Sequence, residues 1–169
     1  MLLPGLSWGT VLQTVPQALS KVFSNHGKIE KRNAYLTKEQ IQTVNSELEY
    51  KIDEKSTLVT YYEYFEKNLP TAYAYIDIDV VRKETETLMI VIGKDGSVRD
   101  VEVLQFSEPR EYIPPEAWKN QFEGKTIKDL EHSKTSIVGI TGATLTSRAV
   151  TKSVQKALVI HRLLNSAKP

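Results

Sequence analysis

The stretch from Gly139 to Ser147 holds the residue types and spacing that most favour chemistry in this chain. It reads Gly-Ile-Thr-Gly-Ala-Thr-Leu-Thr-Ser and runs directly into an amphipathic segment. A helix N-terminus carries about half a unit of positive charge and unpaired N–H groups, which together make a ready site for a phosphate. Hydroxyl groups at the same place add further donors. The stretch therefore predicts a phosphate-binding loop that leads into a helix.

The spacing of apolar residues predicts the helix itself. From Ala149 onward they recur at intervals of three and four residues, which indicates one buried helical face that ends near Leu164. Thr144 or Thr146 is a natural N-cap, because a threonine hydroxyl accepts from N–H groups of the first turn. On this local pattern alone, Thr144, Thr146 and Ser147 could simply cap a core helix. Both interpretations stay open.

The elements that position this loop lie mostly before it. A helix is predicted over residues 15–23, and another begins at Thr37, whose spacing to Gln40 fits a capping box. Segments rich in β-branched and aromatic residues follow, the last two joined by an Asp95-Gly96 turn; they are 57–65, 73–81, 87–92 and 98–104. We expect an α+β fold, with an antiparallel sheet of about four strands, a long C-terminal helix on one face and two N-terminal helices.

A proline-rich segment, residues 105–115, separates the strands from the short helix that follows. It has neither a helical nor a strand period, and long ordered loops of this kind tend to carry function. The short helix over 115–122 presents Trp118 and Phe122 on one side. Large aromatic residues are often buried, so core packing explains Trp118 as well as a binding role does.

Composition and charge narrow the function classes. The chain has 169 residues, 40% of them hydrophobic, which suits one domain with a core. Its net charge is only +1, so no overall field attracts nucleic acid, and we do not expect that partner. Cysteine is absent, which excludes disulfides, thiolate metal sites and iron–sulfur clusters.

No constellation of catalytic side chains emerges from the sequence. We find neither a serine–histidine–aspartate nor a cysteine–histidine arrangement, so no catalytic residue is predicted. Asp77 and Asp79 would share one face of a strand, but a solvated outer face explains two such carboxylates without a metal. The pattern therefore predicts no metal site.

Residues 1–9 differ from the rest of the chain. They are too few to cross a bilayer, and a leucine-rich start followed by Ser7-Trp8-Gly9 is typical of the end of a signal peptide with its cleavage site. An N-terminal arm that packs on the domain is an equal alternative. We expect residues 1–9 to be a signal-peptide remnant or an arm, residues 10–169 to form a single domain, and no segment of this chain to span a membrane.

The motif Thr141-Gly-Ala-Thr-Leu-Thr-Ser147 resembles the S/T-G-A-T motif of the FMN-binding domain family. That family includes the flavin-bearing C subunit of the sodium-pumping NADH:quinone oxidoreductase and the G subunit of the Rnf complex. The resemblance covers roughly Tyr73 to Leu164. It implies FMN as the cofactor. It further implies that Thr144, the last threonine of the S/T-G-A-T motif, is joined to FMN by a phosphodiester bond that a flavin transferase makes.

The resemblance implies a cofactor site built from two segments. The loop and short helix after the hairpin approach the flavin in the family, which carries over to Glu108, Tyr112 and Trp118. The motif supplies the remaining residues: Thr141, Gly142, Ala143, Thr144, Leu145, Thr146 and Ser147. The family usually has an acidic residue three positions before the motif, which the transferase recognises. Val138 occupies this position here.

Three functions from different classes stay open. The resemblance implies a flavin-carrying electron-transfer protein that exchanges electrons with redox partner proteins, and leaves open whether these are membrane-bound. The interpretation of residues 1–9 as a signal-peptide remnant predicts that it is periplasmic or otherwise exported. Val138 favours the second, a flavoenzyme that holds FMN without a covalent bond and reduces a small molecule. The third is a flavin-free binding or assembly module. Whether the protein is an enzyme, and its oligomeric state, are not predicted by the sequence.

Overall fold

The computed structural model describes residues 10–48, 51–53, 57–81, 84–130 and 137–166. The predictions for residues 1–9 lie outside the described residues. The strands are β1 (Thr10–Val11), β2 (Lys28–Tyr35), β3 (Leu58–Glu66), β4 (Leu69–Val81), β5 (Glu84–Gly93) and β6 (Val98–Phe106). The helices are α1 (Val15–Val22), α2 (Lys38–Glu47), α3 (Glu116–Lys119), α4 (Ile127–Leu130) and α5 (Thr144–Asn165). Short 3-10 turns occur at Arg110–Tyr112 and Asn120–Phe122.

The strands form one antiparallel sheet in the order β1-β6-β5-β4-β3-β2. The strand β5 lies between β4 and β6, and its residues 88–92 are fully buried. An uninterrupted apolar run suits a strand covered on both faces, which explains this position. The α+β class, the antiparallel sheet and the long C-terminal helix are confirmed.

The predicted number of strands is wrong, because the sheet has six strands and not about four. The strand β2 reads Lys-Ile-Glu-Lys-Arg-Asn-Ala-Tyr, which lacks the apolar alternation of a half-buried strand. As an edge strand it pairs with β3 alone, and ionic contacts hold it: Lys28 Nζ lies 2.5 Å from Glu30 Oε1, and Arg32 Nε donates to Glu63 Oε2 at 2.9 Å. The strand β1 has only two residues, too few for a sequence signal.

The two faces of the sheet carry different helices. The helix α5 packs against β4 and β5 on one face, where Leu88 and Ile90 meet Val150 and Val154 in the larger core cluster. On the other face, α1 packs over residues such as Met89. Both N-terminal helices occur where the sequence predicts them, and Thr37 forms the expected capping box with Gln40. The sheet and α5 thus fix the place of the Gly139–Ser147 loop.

One prediction about a strand face is wrong. Asp77 does not lie on a solvated outer face, because its Oδ1 is 2.6 Å from Lys156 Nζ on α5. The outward positions on β4 are instead Ile78 and Val80, which are exposed. The alternation of β4 was therefore predicted correctly, but its polar side faces the helix.

Candidate functional site

The helix α5 begins at Thr144, directly after the hydroxyl-rich loop. Its N-cap is Ala143, which has no side chain able to accept a hydrogen bond. The prediction of an N-cap at Thr144 or Thr146 is therefore wrong: Thr144 is the first helical residue and is exposed, and Thr146 is buried within the first turn. The N–H groups of the first turn consequently bond to no capping side chain, which leaves them available to a ligand.

Ser147 is the hydroxyl residue whose side chain forms hydrogen bonds between the loop and the start of α5. Its buried Oγ accepts from the N–H of Ile140 at 2.8 Å and donates to the carbonyl of Ala143 at 3.0 Å. The N–H of Ala143 in turn donates to the carbonyl of Ile140 at 3.0 Å. These bonds close the loop onto the helix as one rigid turn. The hydroxyl residues in the loop and in the first helical turn indicated that one of them would form such bonds. The sequence did not show which of them points inward.

Gly142 completes the turn with a φ of 80°. This left-handed conformation favours glycine, and open space lies where a side chain would stand. On the outer side of the turn, Thr141, Gly142, Thr144 and Leu145 are exposed, whereas Ala143 is buried. The outer side of the loop is therefore open, and Thr144 is exposed at the start of the helix.

We expect Ser147→Ala to destabilise the protein by about 1–3 kcal/mol, because it leaves the N–H of Ile140 without its partner in a partly buried place. Urea unfolding of the flavin-free protein measures this change. The matched control is Ser46→Ala, which removes an exposed hydroxyl that only bonds back to the carbonyl of Thr43; it should change the free energy of unfolding by less than about 0.5 kcal/mol. Equal effects of the two substitutions would contradict the role given to Ser147.

The segment before the motif is fixed from the other side by the short helix after the hairpin. The indole N–H of Trp118 donates to the carbonyl of Val138 at 2.5 Å. The side-chain amide of Gln121 forms two hydrogen bonds with the backbone of the same residue. It accepts from the Val138 N–H at 2.9 Å and donates to the Val138 carbonyl at 3.4 Å. These contacts bring the two predicted segments of the site together. The Val138 side chain itself is 71% exposed.

The remaining predicted residues lie in the connection between β6 and this helix. Trp118 is buried with its ring edge-on to Phe122 at a centroid distance of 5.4 Å. Tyr112 is half-buried and packs on the same core cluster, and Glu108 is half-buried just after β6. The predicted short helix is divided into α3 and the 3-10 turn that follows it.

Glu86 on β5 belongs to this end of the sheet and was missed from the sequence. It is 1% exposed, and its Oε1 has no hydrogen-bond partner among the described residues. Burial raises the pKa of this carboxyl to about 7, and the nearby carboxylates of Glu108 and Asp79 add to the rise. A strand period of two places Glu86 on the face of Leu88 and Ile90, which is the signal that could have identified it.

The raised pKa of Glu86 predicts a specific pH dependence of stability. The folded protein holds this proton up to about pH 7, whereas the unfolded chain releases it near its ordinary value of 4.5, so stability is lost as the pH rises through this window. Between pH 5 and 8.5, the flavin-free protein should lose about 2–3 kcal/mol relative to Glu86→Gln. Urea unfolding of both proteins at the two pH values tests this, and parallel pH profiles would contradict it.

A second group of carboxylates lies elsewhere on the sheet. One oxygen each from Asp100, Glu102 and Glu116 lies within 4.8 Å of the others. Lysines already occupy the space around them: Lys21 binds Glu102, and the buried Lys119 lies 2.8 Å from Glu116. This group is a network of ion pairs that joins α1 and α3 to β6.

The site as a whole can bind an anion and display a hydroxyl beside it. The open turn at Gly142, the unpaired N–H groups of α5 and the exposed Thr144 suit a phosphate ester, and Arg148 one turn later adds positive charge. The residues present therefore fit the phosphate end of FMN. Loop and helix are held in place by Ser147 on one side and by Trp118 with Gln121 on the other.

Comparison with models of known protein families gives one match, which includes this site. Residues 82–159 match the model of the FMN-binding domain, which confirms the predicted resemblance and FMN as the cofactor. The matched segment contains β5, β6, the loop of Glu108, the motif and most of α5. No curated protein and no solved structure showed significant similarity to the chain. Among the helices of the described residues, none is both long and apolar enough to span a membrane.

Proposed function

We propose that this protein, whose residues 82–159 match the FMN-binding domain, is an exported electron carrier with FMN linked to Thr144 by a phosphodiester bond. One observation carries the proposal. Thr144 presents an exposed hydroxyl as the first residue of a 22-residue helix whose N-cap provides no side-chain hydrogen bond. A linked phosphate needs both a reachable hydroxyl and free donors, and this position supplies them together.

The neighbouring hydroxyls support Thr144 as the attachment residue. Thr146 is 3% exposed and Ser147 is 4% exposed, so neither hydroxyl is open to a flavin transferase. Ser147 is further engaged by Ile140 and Ala143. The exposed Thr141 precedes the turn and does not belong to the helix whose N–H groups would bind the phosphate.

In the proposed complex the phosphate lies at the start of α5 and the ring lies towards the loop that follows β6. Bound FMN supplies a ring that accepts and releases electrons. Tyr112 offers a partly exposed aromatic side chain along this route, and Trp118 and Gln121 hold the Val138 peptide in a fixed position. Glu108 places a carboxylate on the same side of the sheet as Glu86. These residues would orient bound FMN and limit the access of water to it.

Electron transfer to and from partner proteins suits these features better than turnover of a small substrate. The sequence offers no serine–histidine or cysteine–histidine arrangement for covalent catalysis, and a tethered flavin cannot be lost outside the cytoplasm. The partners in this proposal are a donor protein, an acceptor protein and the transferase that loads the flavin. The position that the transferase recognises in the family is accessible here, because the Val138 side chain is exposed, but it lacks the usual acidic group.

Reversible binding of FMN is the second candidate, and Val138 favours it. The family usually has an acidic residue at this place, which the transferase recognises. With valine there, the same loop and helix would hold the phosphate through hydrogen bonds alone. A protein of this kind would exchange its flavin and could reduce a small molecule.

The decisive experiment is to express the chain together with its own flavin transferase in an exporting host. Absorption of the purified protein reports bound flavin, and the mass of the denatured chain reports whether it is covalent. A mass increment supports the carrier, and a yellow protein without an increment supports reversible binding. A colourless protein that takes up no added FMN would overturn both. Val138→Asp should raise the covalent fraction, and N-terminal sequencing of the native protein tests export, since an intact Met1 chain recovered from the cytosol would contradict it.

A further inference from the structure

The carboxyl group of Glu86 is a buried acid that the proposed binding of FMN does not use. Its two negative neighbours come from different elements: Asp79, which is its register partner on β4, and Glu108 in the loop after β6. No cation of the described residues is among the charges that act on it. On α5, Lys156 is engaged by Asp77 at 2.6 Å. On its other side, β6 supplies the uncharged Phe106.

An ionised carboxylate in such a place is costly, because burial and two like charges both oppose the negative form. The protein nevertheless keeps a glutamate where the neighbouring inward positions of β5 are Leu88 and Ile90. A group held at the balance between its two forms responds strongly to any new charge nearby. The protonation of Glu86 should therefore depend on any charge that is added at this end of the sheet.

The contacts of α5 show which end of the sheet this is. Near its C-terminus His161 bonds Tyr75 at 3.0 Å, and five residues earlier Lys156 bonds Asp77. Moving towards the helix N-terminus thus means moving along β4 towards Asp79 and its partner Glu86. The proposed FMN site lies in the same direction, at the start of α5.

The loop after β6 reaches the same end of the sheet. The hydroxyl of Ser107 donates to the carbonyl of Thr85 at 2.8 Å, which fixes the start of this loop beside Glu86. Glu108, which follows directly, acts on Glu86 by its charge. The loop predicted to approach the flavin is thus in electrostatic contact with the buried acid.

We propose that Glu86 is a redox-linked proton site, which binds a proton when electrons enter the FMN-binding site and releases it when they leave. This inference rests on the proposed function. The electrons come from a donor, which is oxidised while the cofactor is reduced. The proton comes from the acid form of the solvent buffer, which becomes its conjugate base, and forms an O–H bond on a carboxylate oxygen of Glu86. Because electrons make the site more negative, they favour the neutral form of this carboxyl. The carrier would thus move a proton together with its electrons near neutral pH.

The test uses the FMN-loaded protein with carbon-13 in its glutamate carboxyl groups. Nuclear magnetic resonance follows the Glu86 signal, assigned by its loss in Glu86→Gln, as a function of pH in the oxidised protein and after reduction with dithionite. We expect the titration midpoint of Glu86 to move to higher pH on reduction. The midpoint potential of the flavin should also fall more steeply with pH around neutrality in the wild type than in Glu86→Gln.

The control is Asp95→Asn, which removes an exposed carboxylate in the turn at the opposite end of β5 and keeps a side chain able to accept from Ser97. Its potential should depend on pH as the wild type does. An identical Glu86 midpoint in the two redox states would overturn the inference while leaving FMN binding intact. A wild-type protein that takes up no FMN would overturn the proposed function and this inference together. The first outcome concerns the carboxyl signal and the second the flavin content, so the two failures are distinguishable.

Discussion

Replacing Thr144 with alanine should abolish all covalently bound flavin and leave the fold intact. No other hydroxyl combines exposure with a place in the first turn of α5, because Thr146 and Ser147 point inward. The stability of the flavin-free protein should change by less than about 0.5 kcal/mol, since the exposed Thr144 side chain caps nothing. The mass of the denatured chain and urea unfolding measure the two effects.

The matched control for this substitution is Thr141→Ala, which removes an exposed hydroxyl from the same loop. It should retain the mass increment. Thr146→Ala should retain it as well, although loss of a buried hydroxyl will cost some stability. A mass increment that persists in Thr144→Ala would show that another residue carries the flavin, and the proposed attachment would then be wrong.

Trp118→Ala should cause the largest loss of stability, about 3–5 kcal/mol, because it removes a buried aromatic ring. The loss includes the edge-on packing against Phe122 and the hydrogen bond to the Val138 carbonyl. Urea unfolding measures the free energy. If Trp118 also positions the flavin, the absorption spectrum and the midpoint potential of the loaded protein should change.

Trp118→Phe separates the two roles of this residue. The phenyl ring keeps most of the packing but cannot donate to the Val138 carbonyl, so the expected loss is smaller, about 0.5–1.5 kcal/mol from the hydrogen bond, with some packing loss in addition. A changed flavin spectrum in this variant would indicate that the position of Val138 affects the cofactor. Destabilisation of both variants with an unchanged spectrum would leave Trp118 as a core residue only.

Elements with strong local signals were predictable from the sequence. The capping box at Thr37, the helical period from Ala149 and the Asp95-Gly96 turn each depend on neighbours within a few residues, and α2, α5 and the β5–β6 hairpin occur where these signals place them. The resemblance to the FMN-binding domain was predictable for a similar reason, because its motif is contiguous. The strand β2 could not be predicted in this way. Its residues are mostly polar, and its register depends on pairing with β3, which lies much later in the chain.

Details of the site depended on contacts that no local pattern encodes. Ala143 and not a threonine stands at the N-cap, and the Ser147 side chain is turned inward to accept from Ile140. Trp118 could equally be core or site from the sequence, and the structure shows a buried ring whose N–H holds Val138. Glu86 was overlooked because burial of a carboxyl depends on the helix and loop that cover it, which come later in the chain.

The charged edge strand has a consequence for how crowded copies of this protein behave. A sheet with free backbone groups along an outer strand can pair with the sheet of another molecule and begin aggregation. Here one edge is the two-residue β1. The other is β2, where alternating lysine, glutamate and arginine side chains are held by one another and by Glu63. The strand β2 is therefore a poor template for a further strand, so newly folded molecules should not join one another along this edge.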